Sequence, residues 1–359
     1  MANSAIQSQS IEVDPVVVPG GLRNRIINGQ FDIWQRGTTF SGPTGFTGGG
    51  AVFLAADRWN SSARGGAPAV PIGNVTVNQI DQVTFLAGQP EVPDNPTFYL
   101  QRQVVIVGGG PTDASILGAL IEDVRTFNGQ RVTLSFWAKG DIPGVLAVNM
   151  GQRFGAGGSL GNITPEESFS VSPTWQKYVF FFDVPSIAGK TIGAAPGGGL
   201  QVRIYSHAGN AVFTSGLSIN YTGNFCITNV QLEEDEVTDP NFEVRPFALE
   251  LRLAQRYFEV NNRSESNFAT LGIPAGTKTN EFWVNFKVTK QVIPVINFNF
   301  GLSPPNAGPT FTNISSASIT RIELDGFRIS YNPVNQDDAG ITSRLADDIT
   351  VGTWSADAD

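Results

Sequence analysis

A chain of 359 residues, 41% of them hydrophobic, is long enough to bury two sizeable cores and is not a disordered polymer. Only 15% of its residues are charged, against roughly 25% in an average soluble protein, while Phe, Gly and Pro number 25, 40 and 22. The net charge of −9, with 23 scattered basic residues, excludes nucleic-acid binding by phosphate neutralisation and disfavours polyanionic glycans and anionic membranes.

Few charges, many aromatics and many turn formers point to closely spaced strands, an all-β composition. Residues 1–24 are polar and then punctuated by Pro15 and Pro19. They cannot bury a core and read as an extended anchoring arm. Asn28-Gly29 is a turn signal, followed by Phe31-Asp32-Ile33-Trp34, a Gly-rich stretch over 41–50, and Ala56-Asp57-Arg58-Trp59.

Strand periodicity then sets in. In 131–140, Val132, Leu134 and Phe136 share one face; Thr133, Ser135, Trp137 and Lys139 share the other. In 200–205, Leu200, Val202 and Ile204 oppose Gln201, Arg203 and Tyr205. The run Tyr178-Val179-Phe180-Phe181-Phe182 is apolar on both faces, which suits either a central strand covered on both sides or a strand at a subunit contact. With 227–232 closing the series, the spacing implies a β-sandwich or jelly roll over residues 25–240.

The acidic stretch Glu233-Glu234-Asp235-Glu236, with Asp239-Pro240, reads as a solvated linker. A hinge and one helix come next, over 241–258. Pro246 suits the first helical position, and Phe247, Leu251, Ala254 and Phe258 form an apolar stripe. Alternating runs at 282–288 and 327–331, and the ending at Trp354, define a second, smaller β domain over 259–359.

The inventory of reactive groups is short. Cys226, the only cysteine, lies in the apolar run Phe225-Cys226-Ile227 and reads as a buried, inert thiol. His207, the only histidine, has no nucleophile motif beside it and reads as a surface or loop residue. Gly108-Gly109-Gly110 and Gly197-Gly198-Gly199 lack the Lys-Ser/Thr of a phosphate loop and read as loop tips. Neither catalysis, a cofactor nor a metal is expected. No stretch approaches the roughly 18 apolar residues of a membrane span, and the start MANSAIQSQS has no charged-then-apolar signal, so synthesis in a cytoplasm without an export signal is expected.

The best candidate for function is a sugar-binding face. If one side of 131–140 fills the core, the other presents Thr133, Ser135, Trp137 and Lys139, an aromatic ring beside hydroxyl and ammonium groups. Arg203 and Tyr205 would join them if the two strands share a sheet. The alternative is that both faces are covered and Trp137 is core.

Several stretches together resemble a known family. They are Asn28-Gly29-Gln30-Phe31 with Gln35-Arg36-Gly37, Ala56-Asp57-Arg58-Trp59, Leu134-Ser135-Phe136-Trp137-Ala138-Lys139, and Ile227-Thr228-Asn229-Val230-Gln231-Leu232-Glu233. In this order they are similar to phage virion proteins, of tail-fibre, receptor-binding or head-fibre type, with a carbohydrate-binding-module-like jelly roll. Leu249 to Phe258 and Trp354-Ser355-Ala356-Asp357-Ala358 resemble later segments of such proteins. Ala254, where the family often has Cys, and Asp235, where it often has Gly, depart from the pattern without touching the candidate site.

The resemblance implies a structural component of the virion surface, a tail fibre or spike that adheres to host-surface glycans. Its arm would engage other virion proteins, and the protein would be a homotrimer. The two-faced strand 178–182 and the helix stripe offer surfaces for such self-association. A capsid decoration or head-fibre protein with a purely structural role is the second reading, and a polysaccharide depolymerase the third.

Overall fold

The computed structural model describes residues 21–41, 46–47, 51–64, 71–72, 75–106, 110–261, 273–275, 279–298, 314–333 and 354–357. Most of the expected arm therefore lies outside the described residues. Two antiparallel sheets carry the sandwich. One runs β1 (Thr39–Ser41), β6 (Val75–Thr84), β7 (Phe98–Ile106), β15 (Gly223–Glu234), β9 (Arg131–Gly140) and β12 (Gln176–Asp183) from edge to edge. The other runs β11 (Glu167–Val171), β10 (Gly144–Ala156), β13 (Ala194–Ala208), β8 (Ala114–Glu122), β4 (Trp59–Arg64) and β3 (Ala51–Leu54), with β14 (Ile219–Asn220) on β13. A small pair, β2 (Phe46–Thr47) with β5 (Pro71–Ile72), stands apart.

The period-two pattern explains why these sheets face each other. Val132, Leu134 and Phe136 of β9 meet Leu146, Val148 and Met150 of β10 and Leu200, Val202 and Ile204 of β13 in one core, each at most 1% exposed. Burying a side chain of this kind contributes about 1.5–3 kcal/mol. One polar group crosses the core. The fully buried Arg102 donates to the hydroxyls of Ser206 (2.5 Å), Ser115 (2.8 Å) and Ser61 (3.0 Å), and burial pulls its pKa down to about 9. It is still charged near neutral pH, so three hydroxyls from the facing sheet stand in for lost water.

The structure corrects local expectations at several places. Among the described residues the run 178–182 is not central: β12 is an edge strand paired only with β9. Gly197-Gly198-Gly199 lies within β13, not at a loop tip, and a Cβ on Gly199 would clash with the Ile121 carbonyl oxygen. Glu233 is no linker residue; it lies at the end of β15 at 3% exposure, accepting a hydrogen bond from Gln231. His207 is buried, not on a surface, because residues 209–220 fold Phe213 and Ile219 over that end of β13. Burial lowers its pKa, against the opposing influence of Asn220 and Asp113.

The N-terminal segment is tied to β15. Asn24 accepts from the Leu232 amide (3.0 Å) and donates to the Val230 carbonyl (3.0 Å). Asn28, buried with φ of 59°, donates to the carbonyls of Ile33 and Asp57 and accepts from the Ile33 amide. The helix α1 (Phe247–Gln255) docks on this segment through Glu250, which accepts from the Asn28 amide and from Arg245. Its expected stripe holds in part: Ala254 and Phe258 are buried, but Phe247 is 58% exposed and the polar Glu250 and Gln255 are buried as well. Polar anchoring joins the apolar contacts in setting the face of this short helix.

Beyond it, β16 (Phe258–Asn261), β22 (Trp354–Asp357) and β19 (Val295–Phe298) form a three-stranded sheet. A four-stranded sheet runs β17 (Ile273–Ala275), β18 (Thr279–Asn285), β21 (Gly326–Pro333) and β20 (Ile314–Ile322). Phe258 thus starts a strand and does not end the helix. Lys290, fully buried, bonds the Gln255 carbonyl and the Glu259 carboxylate, both at 2.6 Å.

Asp32 gives this region a pH dependence. Burial, and then the Glu250 charge, raise its pKa from 3.8 to about 6. Between those values the folded chain holds a proton that the unfolded chain has released, so stability falls as pH rises through the window. Asp32→Asn should flatten that slope in urea denaturation and raise stability near neutral pH; an unchanged slope would contradict this assignment.

Candidate functional site

Because β9 turns Val132, Leu134, Phe136 and Ala138 inward, its other side chains reach the outer face of the six-stranded sheet. They meet different fates there. Thr133 is sealed by the segment after β15: its hydroxyl donates to the Asp235 carbonyl (2.7 Å) and accepts from the Val237 amide (2.8 Å). Ser135, 5% exposed, and the half-buried Trp137 line a small cleft of about 50 Å³, together with Asp94, Lys177, Asn229 and Asn241. Lys139 lies beside the cleft, its ammonium 5.0 Å from the Trp175 ring and 5.8 Å from Tyr99.

The cleft is walled by local irregularities. Trp137 is opposite Lys177 on β12 and Thr228 on β15. Immediately after Thr228 the register slips, with the next pair formed at Gln231. This bulge carries Asn229 at φ 52°, accepting from Gln30 (3.0 Å) and donating to the Pro93 carbonyl (3.4 Å). Asp94 and Asn95 are also left-handed, at φ 63° and 45°. Lys177 donates to Asp239 at 2.7 Å and holds that carboxyl below its usual range.

An aromatic cluster adjoins the cleft. Trp175, Val92 and Cys226 are buried, with Phe85, Tyr99 and Trp137 packed against them. The Trp175 ring centroid is 5.3 Å from both Phe85 and Tyr99. Burial pushes the Cys226 thiol up to about 12, so it packs as an apolar group and is not a nucleophile at neutral pH.

Arg203 and Tyr205 do not belong to this surface. They project from β13 on the outer face of the other sheet, so the shared surface expected from the two alternating runs is not formed. Arg203 folds over Gly151, where a Cβ would lie 2.5 Å from the guanidinium, and donates to Gln201 at 2.9 Å. Tyr205 is 2% exposed, donates to Asn149 (3.3 Å) and packs on Phe213. Of the six expected residues, Ser135 and Trp137 share the cleft, Lys139 is beside it, Thr133 is covered, and two lie across the sandwich.

A larger cavity of about 570 Å³ lies between residues 22–27, the end of β8 and the helix. The acids in its lining are engaged: Glu122 by Arg256 and Tyr257, Asp123 by Arg125, and Glu234 by Gln130. Among the described residues, no three His, Cys, Asp or Glu side chains group closely enough to hold a metal ion.

The fold and these faces define an antiparallel β-sandwich with an aromatic cleft on one outer surface. No family model matches the chain, and no curated protein does. Solved carbohydrate-binding modules are among the structures it is similar to. The family 11 module of Clostridium thermocellum, in complex with a β-1,3-1,4-mixed-linked tetrasaccharide, is 10% identical, with a TM-score of 0.30 over 54% of this chain and 96% of that one. The N-terminal cellulose-binding domain of Cellulomonas fimi β-1,4-glucanase C is 14% identical, with a TM-score of 0.28 over 40% of this chain and 83% of that one. The enzymatically active domain of bacteriophage CBA120 tailspike protein 4 is also 14% identical, with a TM-score of 0.28 over 50% of this chain and 20% of that one. At such identities and scores, no ligand or activity is carried across.

The burial contrast between tryptophans is directly measurable. Trp59, 2% exposed in the main core, should cost about 3–5 kcal/mol when changed to Ala. Trp137→Ala, on a half-buried outer position, should cost about 1–2 kcal/mol and leave a folded protein. Equal losses in urea denaturation would mean that Trp137 is core.

Proposed function

We propose that the protein is a structural virion component, a tail fibre or spike, whose sandwich binds a neutral or weakly charged host-surface saccharide at Trp137. The half-buried indole, flanked by Lys177, Asn229 and Asn241 in one cleft, is the observation that carries this reading. An aromatic face stacks on the C–H face of a sugar ring, and polar neighbours bond its hydroxyls. The Lys177–Asp239 pair supplies a donor and an acceptor side by side, suited to a neutral polyol. The net charge of −9 works against a polyanionic ligand.

A single stacked ring with a few hydrogen bonds supports binding on the order of 1 mM, or about −4 kcal/mol. Many copies on one particle raise this by factors of roughly 10² to 10⁴ without a new contact. Weak single sites are therefore compatible with firm attachment.

Glycan-array binding of the wild type, Trp137→Ala, Trp283→Ala and Arg203→Ala tests the proposal. Trp283 lies on β18, outside the sandwich, and Arg203 on the opposite outer face. Binding should fall at least tenfold only for Trp137→Ala. Loss confined to Arg203→Ala would move the site across the sandwich, and no glycan bound by any form would favour a purely structural decoration role.

A further inference from the structure

The outer edge of β12 has no strand partner among the described residues, although it is eight residues long, unbulged and free of proline. Sheet edges are ordinarily blunted by charge, proline or brevity. Here only the ends are charged, at Lys177 and Asp183, and the five residues between them are aromatic or β-branched and half to fully buried. Tyr178, Phe180 and Phe182 lean toward the core, leaving Val179 and Phe181 half-buried on the outer face, with Arg131 5.8 Å from the Phe181 ring centroid.

We infer that this edge pairs antiparallel with the same edge of a second copy, about a two-fold axis at Phe180. The register is set by symmetry. A two-fold axis perpendicular to the sheet keeps both outer faces on one side, so it must pass through a residue and not between two. Centred on Phe180, Lys177 opposes Asp183 twice, Tyr178 opposes Phe182, and Val179 opposes Phe181. Centred on Val179, Lys177 would oppose Phe181; centred on Phe181, Asp183 would oppose Val179. Only the Phe180 register is complementary in charge, and each partner would gain the other beside a contact it already makes, Asp183, 78% exposed, with Arg131 and Lys177 with Asp239.

The pairing joins two six-stranded sheets into one and sets both Trp137 clefts on the same face. With strands about 4.8 Å apart and a rise of about 3.4 Å per residue, the clefts would stand roughly 25 Å apart. That bivalence rests on the saccharide reading; the pairing does not, and it is tested without a glycan.

Sedimentation of the full chain should give a dimer at micromolar concentration. Lys177→Asp and Asp183→Lys should each be monomeric, because each opposes like charges, and an equimolar mixture of the two should recover a dimer. Independently, Phe180→Cys should form a disulfide-linked dimer under mild oxidation, since directly opposed Cα atoms lie about 4.5–5.5 Å apart. Tyr178→Cys, displaced by four residues from its own mate, should not. A monomeric or trimeric wild type, a dimer unaffected by Asp183→Lys, or cross-linking of Tyr178→Cys in place of Phe180→Cys would overturn the proposal.

Discussion

The architecture turns on how β9 divides its side chains. Val132, Leu134, Phe136 and Ala138 are 0–1% exposed and sit where the two sheets meet. Side chains alternate strictly along a strand, so a slip of one residue would expose Phe136 and drive Thr133, Ser135 and Trp137 into the core. Burial of one face thus holds the other in place. The bulge of β15 and the chain segment after Glu234 then finish the outer surface, the first placing Asn229 beside Trp137 and the second closing over Thr133.

Charge is scarce in this chain, and much of it is used in docking. Arg245, which bonds the Asn24 and Ile26 carbonyls as well as Glu250, and Arg256 with Glu122 hold the helix and its flanks to the sandwich, while Lys290 with Glu259 ties the later strands to the end of the helix. Rings take part as well: Arg58 lies 3.4 Å from the Tyr257 ring centroid and Arg36 3.6 Å from that of Phe258. For the fully buried Lys290–Glu259 pair, desolvation offsets much of the attraction, whereas Arg256 and Glu122 stay partly exposed. The segment that reads as a hinge in the sequence is held by these contacts.

What could be read from the sequence was local. Alternation in 131–140 and 200–205 assigned inward and outward residues correctly on each strand, because that pattern depends only on backbone geometry. Sheet membership depends on which distant strands pair, so the sequence leaves open whether Arg203 and Tyr205 share a surface with Trp137, and β13 and β9 lie in different sheets. Lys177 was illegible for the same reason: only the pairing of β12 with β9 brings it opposite Trp137. Asn229 carried a faint signal, a polar residue between Thr228 and Val230 in an apolar strand. The helix stripe held at Ala254 and Phe258 and failed at Phe247, because Glu250 and its partners also fix the orientation of this nine-residue helix.

The central claim is that Trp137 is the sugar-stacking residue, and indole N–H resonances observed during titration with neutral host-surface oligosaccharides test it most directly. Trp34 and Trp59 are internal references, their indole N–H groups bonded to the Phe31 and Asn28 carbonyls. The Trp137 signal should move progressively and saturate, while those of Trp34 and Trp59 stay in place. A Trp137 resonance that does not move while the protein demonstrably binds the saccharide would contradict the account.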